Sequence, residues 1–179
     1  AASILAYYGI EGKTMDVTKL FAFSNCSLLT QSTEAIPQGS YKEQQETEGE
    51  GTVSTYVPFR NGLFLSAAAS LALSLDCGYI YYGAHSDDAA GNAYPDCTEH
   101  FYKSMGDAIF EGSGKECSLE APFINHNKAD VVKEGLRLGV PYHLTWSCYE
   151  GGDKPCGHCG TCIDRAEAFR ANGVEDPAQ

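Results

Sequence analysis

The longest apolar stretch of the chain runs from Leu63 to Leu75 and is hydrophobic on nearly every side, with many alanines and serines. A helix that is apolar all round is typical of a buried element, so the pattern predicts a helix packed closely against a sheet. Asn61 is the candidate cap at its start, and Gly78 closes it. Residues 79–83, YIYYG, are aromatic and β-branched and predict a short strand directly afterwards.

Helical and extended patterns alternate along the rest of the chain. Asp96 and Glu99 resemble a capping box, and apolar positions recur at helical spacing after them up to Ile109, which predicts a helix. Another helix is predicted to begin at Asn127. Three further segments have the composition of strands: 13–17, 117–123 and 142–147. This alternation predicts an α/β fold, with an open, mostly parallel sheet and helices on both faces.

Two segments near the start are less regular. The opening residues AASILAYYGI predict a helix that ends at Gly9 or Gly12, and because it has no cap we expect it to begin upstream of Ala1. Residues 25–51 are polar, acidic and rich in turn residues. An irregular segment of that length predicts a lid, a binding loop or a mobile segment.

Charge narrows the choice of partners. The 179 residues are enough for one domain with its own core, and their formal net charge is −12 at pH 7. The 12 lysines and arginines are scattered, whereas nucleic-acid binding needs them clustered on one face. No apolar run approaches the length of a membrane span, and no signal peptide is visible. We therefore expect neither a nucleic acid nor a membrane as partner. A local basic pocket for a small anion is still compatible with this net charge.

Half of the eight cysteines stand in one short segment, with the spacing C-x7-C-x2-C-x2-C from Cys148 through Cys156 and Cys159 to Cys162. Overlapping C-x2-C pairs point thiolates in one direction from tight turns, and a closed set of four sulfurs is typical of structural zinc. An iron–sulfur cluster and disulfides are the alternatives. The other cysteines are isolated, which favours a reduced, cytoplasmic protein. His158 is then a loop histidine rather than a ligand.

Several polar residues stand close to the predicted strand ends, where ligands bind in open α/β sheets. Asp87 and Asp88 follow strand 79–83 and could hold magnesium, bind a guanidine-like edge or accept protons. The alternative is a turn in which they bond to their own backbone. Arg60 and Asn61 lie where an extended segment meets a helix. They could bind phosphate or carboxylate, or be a surface arginine and a helix cap.

The YPDC stretch and the helix at Asn127 supply the remaining candidates. Tyr94 could stack on a purine-like ring, and Asp96 could bind a ligand, cap the following helix, or both. Cys97 is expected to be a packed thiol. Lys128, in the first turn of its helix, could reach phosphate oxygens, the alternative being a surface lysine.

Four motifs in this order resemble the family of 7-cyano-7-deazaguanine synthases. They are VPFRN at 57–61, YYGAHSDDAAGNAYPDC at 81–97, NK at 127–128, and the cysteine segment with CIDRAEAF at its end. The resemblance covers the chain from Phe21 onward. It implies an ATP pyrophosphatase with an adenine-nucleotide α-hydrolase-like fold.

The resemblance also implies the reaction of a ligase. ATP adenylates 7-carboxy-7-deazaguanine, ammonia displaces AMP to give an amide, and a further ATP converts the amide into the nitrile, with Mg²⁺ on the phosphates. The implied catalytic residues are Asp87, Asp88 and Lys128. The implied binding residues are Arg60, Asn61, Gly83, Tyr94 and Asp96. A homodimer is implied as well. The positions of the motifs and of the cysteines predict an α/β domain over 1–147 and a zinc-binding extension over 148–179 packed on it.

One family motif is not found in the sequence, a glycine-rich phosphate loop of the form SGGxDS after the first strand. We expect this loop to precede Ala1. A protein without it would be a zinc-stabilised binding remnant that turns over no ATP. Another alternative is a related enzyme that activates a tRNA base for thiolation, which the net charge disfavours.

Overall fold

Two short parallel strands form the sheet in a computed structural model, which describes residues 1–49 and 51–178. Strand β1 (Tyr79–Tyr81) pairs with β2 (Ser118–Glu120), and Ile80 lies opposite Leu119. Parallel neighbours need a crossover between them, and a helix supplies it here. The predicted α/β class with a parallel sheet is confirmed.

Seven helices surround these strands in the described ranges. They are α1 (Ala2–Tyr8), α2 (Tyr41–Glu48), α3 (Arg60–Ser74), α4 (Ser86–Ala89), α5 (Glu99–Gly112), α6 (Lys128–Arg137) and α7 (Gly160–Ala171). Short 3-10 turns lie at Thr18–Phe21, Ala90–Asn92, Pro95–Cys97 and Tyr142–Leu144. None of the described helices has the length and apolar character that crossing a membrane requires.

The main core lies where α3 and α5 cover one face of the strand pair. Ile80 and Leu119 meet buried residues of both helices there, among them Leu65, Ala72 and Ile109. On the opposite face the side chains of Tyr79 and Tyr81 are exposed. Helix α3 also exposes Phe64, Leu71 and Leu73, so it is less buried than its uniformly apolar sequence predicts.

The predictions that Asn61 caps α3 and that Asp96 caps α5 were wrong. Phe59, in the left-handed region with φ 54°, precedes α3, and the backbone N–H of Asn61 donates to Asp96 Oδ2 over 2.9 Å. Helix α5 is capped by Thr98, whose Oγ1 accepts from the N–H of Phe101. Asp96 therefore accepts from a free backbone N–H at the N-terminus of α3, because its turn lies beside that helix. Thr98 lies closer to the start of α5 and caps that helix instead. The cap at Asn127 is confirmed.

Two predicted strands are absent from the described residues, and one segment predicted to be irregular contains a helix. Segment 13–17 is irregular, and the 142–147 segment holds a 3-10 turn. Extended sequence patterns make a strand only where a partner strand lies alongside, and neither segment has one among the described residues. Within 25–51, α2 begins with a capping box formed by Ser40 and Glu43.

Candidate active site and metal centre

The carboxyl ends of β1 and β2 bring Asp87 and Lys128 together. Asp87 lies in α4 shortly after β1, and Lys128 begins α6 shortly after β2. The Oδ2 atom of Asp87 accepts from the backbone N–H of Lys128 over 2.7 Å, so it closes the first turn of α6. Ser86 ties the two loops further, since both its N–H and its hydroxyl donate to the carbonyl of His126 over 2.8 Å. The juxtaposition follows from parallel pairing, which opens both strand ends at one edge.

The side chain of Lys128 meets a residue that the sequence did not single out. Its Nζ lies 3.7 Å from Oδ2 of Asp164 in α7, with the two side chains 19% and 20% exposed. Burial raises the pKa of the Asp164 carboxyl, and the Lys128 ammonium works against that rise. No local pattern marks Asp164, because its partner lies on another helix. We call Asp87, Asp88, Lys128, Asp164 and His85 the lysine cluster.

His85 is the buried member of the lysine cluster. It is 8% exposed, and its Nε2 lies 3.4 Å from Oδ2 of Asp88. Burial lowers the pKa of His85, the charge of Lys128 lowers it further, and Asp88 and Asp87 oppose the shift. The other ring nitrogen, Nδ1, is buried and has no hydrogen-bond partner among the described residues.

The lowered pKa of His85 predicts a stability loss on acidification. In the unfolded chain His85 takes up a proton near 6.5, the ordinary pKa of a histidine, whereas the folded protein does so only at lower pH. The free energy of unfolding should therefore fall as pH drops below about 6.5 and through the folded-state pKa. Denaturant titrations of wild type and His85→Gln from about pH 7.5 to about pH 5 measure the slope.

The expected result is a shallower pH dependence for His85→Gln than for wild type. The exposed His143 supplies the control, since His143→Gln should keep the wild-type slope. Equal slopes in all three proteins would contradict the burial of an uncharged His85.

A second group of candidates surrounds the start of α3, and we call it the arginine cluster: Arg60, Asn61, Tyr82, Asp96 and Cys97. The Asn61 side-chain amide donates to Cys97 Sγ over 3.3 Å, and the Tyr82 hydroxyl donates to the Asp96 carbonyl. Asp96 is only 3% exposed, and its Oδ1 has no partner among the described residues. The guanidinium of Arg60 forms no ion pair or hydrogen bond within residues 1–49 and 51–178.

The two clusters lie close enough to influence one another. Burial, and next the charge of Asp88, raise the pKa of the Cys97 thiol to about 11. A thiol with that pKa stays protonated at neutral pH and is a poor nucleophile, which agrees with the expected packed thiol. Gly83, between β1 and His85, is exposed and has open space where a side chain would stand.

Tyr94 is not placed for the stacking that its sequence position suggested. Its side chain is 4% exposed, with the rings of Tyr41 and Tyr56 edge-on against it. Its hydroxyl lies 2.6 Å from Thr55 Oγ1 and 3.1 Å from the Tyr149 hydroxyl. Tyr94 is therefore a core residue that joins α2, the segment after β1 and the cysteine segment, which sequence reasoning missed because these contacts are long-range.

The four clustered cysteines could hold one metal ion. The sulfurs of Cys148, Cys156, Cys159 and Cys162 all lie within 4.8 Å of one another. A tetrahedral zinc with Zn–S of about 2.3 Å separates its sulfurs by about 3.8 Å, so the group needs little adjustment. The N–H groups of Cys156 and Cys159 donate to neighbouring sulfurs over 3.3 Å, as suits thiolates. All eight cysteines are free thiols in this structure, so none forms the disulfide that the sequence left open.

The surroundings of the cysteines tie the metal centre to the rest of the fold. Residues Gln38 and Cys159 form an isolated antiparallel bridge, and the Gly39 N–H donates to the His158 carbonyl over 3.0 Å. The His158 side chain is exposed and bonds to Gln38, outside the sulfur group, as expected. Helix α7 starts directly after Cys159 and carries Cys162, so the centre also fixes where α7 begins.

These features define an α/β protein with polar clusters at the ends of parallel strands and a group of four cysteines that could hold a metal ion. The family model described as "Queuosine biosynthesis protein QueC" matches residues 1–173. The chain belongs to this family.

Relatives with one shared name support the assignment. A 7-cyano-7-deazaguanine synthase from Caldicellulosiruptor saccharolyticus is 44% identical over 170 residues, which covers 95% of this chain and 72% of the relative. The protein of that name from Psychromonas ingrahamii is 38% identical and covers 99% of this chain and 76% of the relative. That from Archaeoglobus fulgidus is 45% identical and covers 80% and 57%.

Proposed function

We propose that this protein is a 7-cyano-7-deazaguanine synthase, a ligase that converts 7-carboxy-7-deazaguanine and ammonia into the nitrile at the expense of ATP. The observation that carries the proposal is the meeting of Asp87 and Lys128 at the shared edge of β1 and β2, in a chain whose relatives bear that name. An edge where parallel strands end is where such folds bind their ligands.

The proposed chemistry passes through activated carbonyl groups twice. The carboxylate attacks the α-phosphorus of ATP, releasing pyrophosphate, and ammonia then displaces AMP to leave the amide and a proton. The amide oxygen attacks the α-phosphorus of a further ATP, which releases a second pyrophosphate. Loss of AMP and of the two protons on nitrogen then gives the nitrile. A carboxylate and an amide are poor electrophiles. Each adenylation makes the carbonyl carbon reactive, because it converts the oxygen into part of AMP, a good leaving group. Mg²⁺ bound with ATP would neutralise charge on the phosphates.

Each residue of the lysine cluster has a role in this proposal. Lys128 presents an ammonium to the anionic groups, the carboxylate and the phosphates. Asp88, with its side chain 29% exposed and His85 behind it, accepts protons lost from nitrogen. Asp87 fixes the first turn of α6 and therefore the backbone position from which the Lys128 side chain extends.

The arginine cluster is proposed to complete the binding surface. Arg60 supplies a second cation. It follows Phe59, whose left-handed backbone conformation is costly for a non-glycine residue and must be stabilised by the surrounding structure. Asp96 holds the Asn61 backbone, and Gly83 leaves room for a ligand beside the strand end. Tyr94 is proposed to act indirectly, by keeping the segment after β1 against α2.

Zinc is the proposed occupant of the four-cysteine centre, since four sulfurs at this separation suit one tetrahedral ion. An iron–sulfur cluster spreads its ligands over several metal atoms and needs a wider cage. Zinc bound there would act as a cross-link, because four sulfurs leave no open position for chemistry. We also propose that 148–179 is an extension packed on the α/β domain of 1–147, as contacts of Ala168 and Phe169 with Val132 support.

The test of this function is turnover by the full-length protein with the acid, ATP, Mg²⁺ and ammonia. Formation of the nitrile, with AMP and pyrophosphate as co-products, is the expected result. Thiolation of a tRNA in its place would favour the related tRNA-activating class. The homodimer that the family resemblance suggests is a separate expectation, which sedimentation would check.

A further inference from the structure

A cavity of about 530 Å³ lies between α2, α4, α6 and α7, and the lysine cluster forms part of its wall. Asp87 and Lys128 line it from the strand ends, Asp164 and Glu167 from α7, and Tyr41 and Lys42 from α2. The wall therefore contains both ammonium and carboxylate groups. A cavity of this size and mixed charge suits a small polar ligand rather than an apolar one.

Asp164 is the carboxylate of this wall that lies beside the Lys128 ammonium. The separation of 3.7 Å is long for a hydrogen bond but within the range of an ion pair, and four-fifths of each side chain is buried. An ammonium has three donors, and so loose a contact leaves donors available to a ligand. The carboxylate nevertheless limits where the flexible lysine stem can place its charge.

The metal centre and the α6 interface together fix the position of Asp164. Cys162 lies two residues before it in α7, and the helix starts directly after Cys159. At the other end, Ala168 and Phe169 pack on Val132, and the Asn172 side chain donates to the Ala129 carbonyl over 2.9 Å. Asp164 is thus held between the turn that carries the clustered cysteines and a packed helix end, which makes its carboxylate a rigid reference for Lys128.

We propose that Asp164 is a positioning residue that holds the Lys128 ammonium at the cavity wall, where that ammonium receives the anionic group of the substrate. This inference rests on the proposed function for the identity of the substrate. It assigns to α7 a second role besides carrying a cysteine of the metal centre.

The test compares Asp164→Asn, Asp164→Glu and wild type in the full-length protein. Asp164→Asn should raise KM for the acid by about tenfold while kcat changes by less than about threefold, since a misplaced cation weakens binding most. Asp164→Glu should recover part of the loss. Metal content and melting temperature should stay at wild-type values in both variants. As a control for loss of one negative charge, the exposed Asp107→Asn on α5 should behave as wild type.

A second readout does not depend on the reaction. The rate at which acetic anhydride labels Lys128, followed by peptide mass spectrometry, should rise severalfold in Asp164→Asn, because the amine then loses its ion-pair partner. Lys133, exposed on the same helix, supplies the internal standard. Unchanged labelling or an unchanged KM would overturn the positioning role. A raised KM accompanied by loss of metal and a lower melting temperature would also overturn it, because the structural damage would then explain the change in KM. If wild type forms no nitrile but labelling still changes, the proposed function fails and the Asp164–Lys128 coupling stands.

Discussion

Replacing Cys159 by serine will lower the melting temperature of the protein and release its metal, rather than remove activity from a folded enzyme. Cys159 is fully buried, and its sulfur belongs to the four-sulfur group that starts α7. Metal binding at such centres is folding free energy, so losing a ligand should cost at least about 3 kcal/mol. For a chain of this length, that corresponds to a drop of roughly 6–12 °C. Calorimetry and elemental analysis measure the two effects, with one zinc per chain expected in wild type.

The matched control is Cys77→Ser, because Cys77 is an exposed free thiol outside the sulfur group. It should keep the melting temperature and the metal content of wild type. Chelation of wild type should reproduce the effect of Cys159→Ser. A serine variant with unchanged melting temperature would show that the cysteines do not hold a structural metal.

Replacing Lys128 by methionine will lower kcat/KM for the acid by about 10²- to 10³-fold, the usual effect of removing one charged donor from a reacting anion. The methionine stem keeps much of the packing of the lysine chain, so the helix should remain folded. Lys128→Arg should retain part of the activity, because the charge is kept while the geometry of its donors changes. Steady-state kinetics at several acid concentrations provide the measurement.

The control for this variant is Lys133→Met, which removes an exposed lysine from the same helix, α6. Its kinetics should match those of wild type. Near wild-type kcat/KM in Lys128→Met would remove the lysine cluster from the proposed mechanism, even if the protein still formed the nitrile.

Sequence patterns predicted the elements whose signals are local. Helix α6 begins directly after its cap, Asn127, because the side chains of Asn127 and Asp130 each accept from the other's backbone N–H. The strand at 79–81 follows from its aromatic and β-branched residues, and its parallel pairing follows from the helix that connects it to β2. The four-cysteine group was predictable for the same reason, since its ligands lie close together in sequence.

The misses all depend on contacts between distant segments. Asp96 looked like the cap of the helix that follows it, but its carboxylate bonds to Asn61, 35 residues earlier. Tyr94 looked available to a ligand, but Tyr41 and Tyr149 enclose its hydroxyl. Asp164 carried no signal because Lys128 lies on another helix. Local propensity cannot report such pairings, which only the packed fold creates.

The most direct test of the account is a mass-spectrometric assay of the full-length protein with 7-carboxy-7-deazaguanine, ATP, Mg²⁺ and isotopically labelled ammonia. We expect a labelled amide that converts into a labelled nitrile, with one AMP released at each stage. Binding of the acid without release of AMP and pyrophosphate would contradict it, and would leave a metal-stabilised binding protein as the better description.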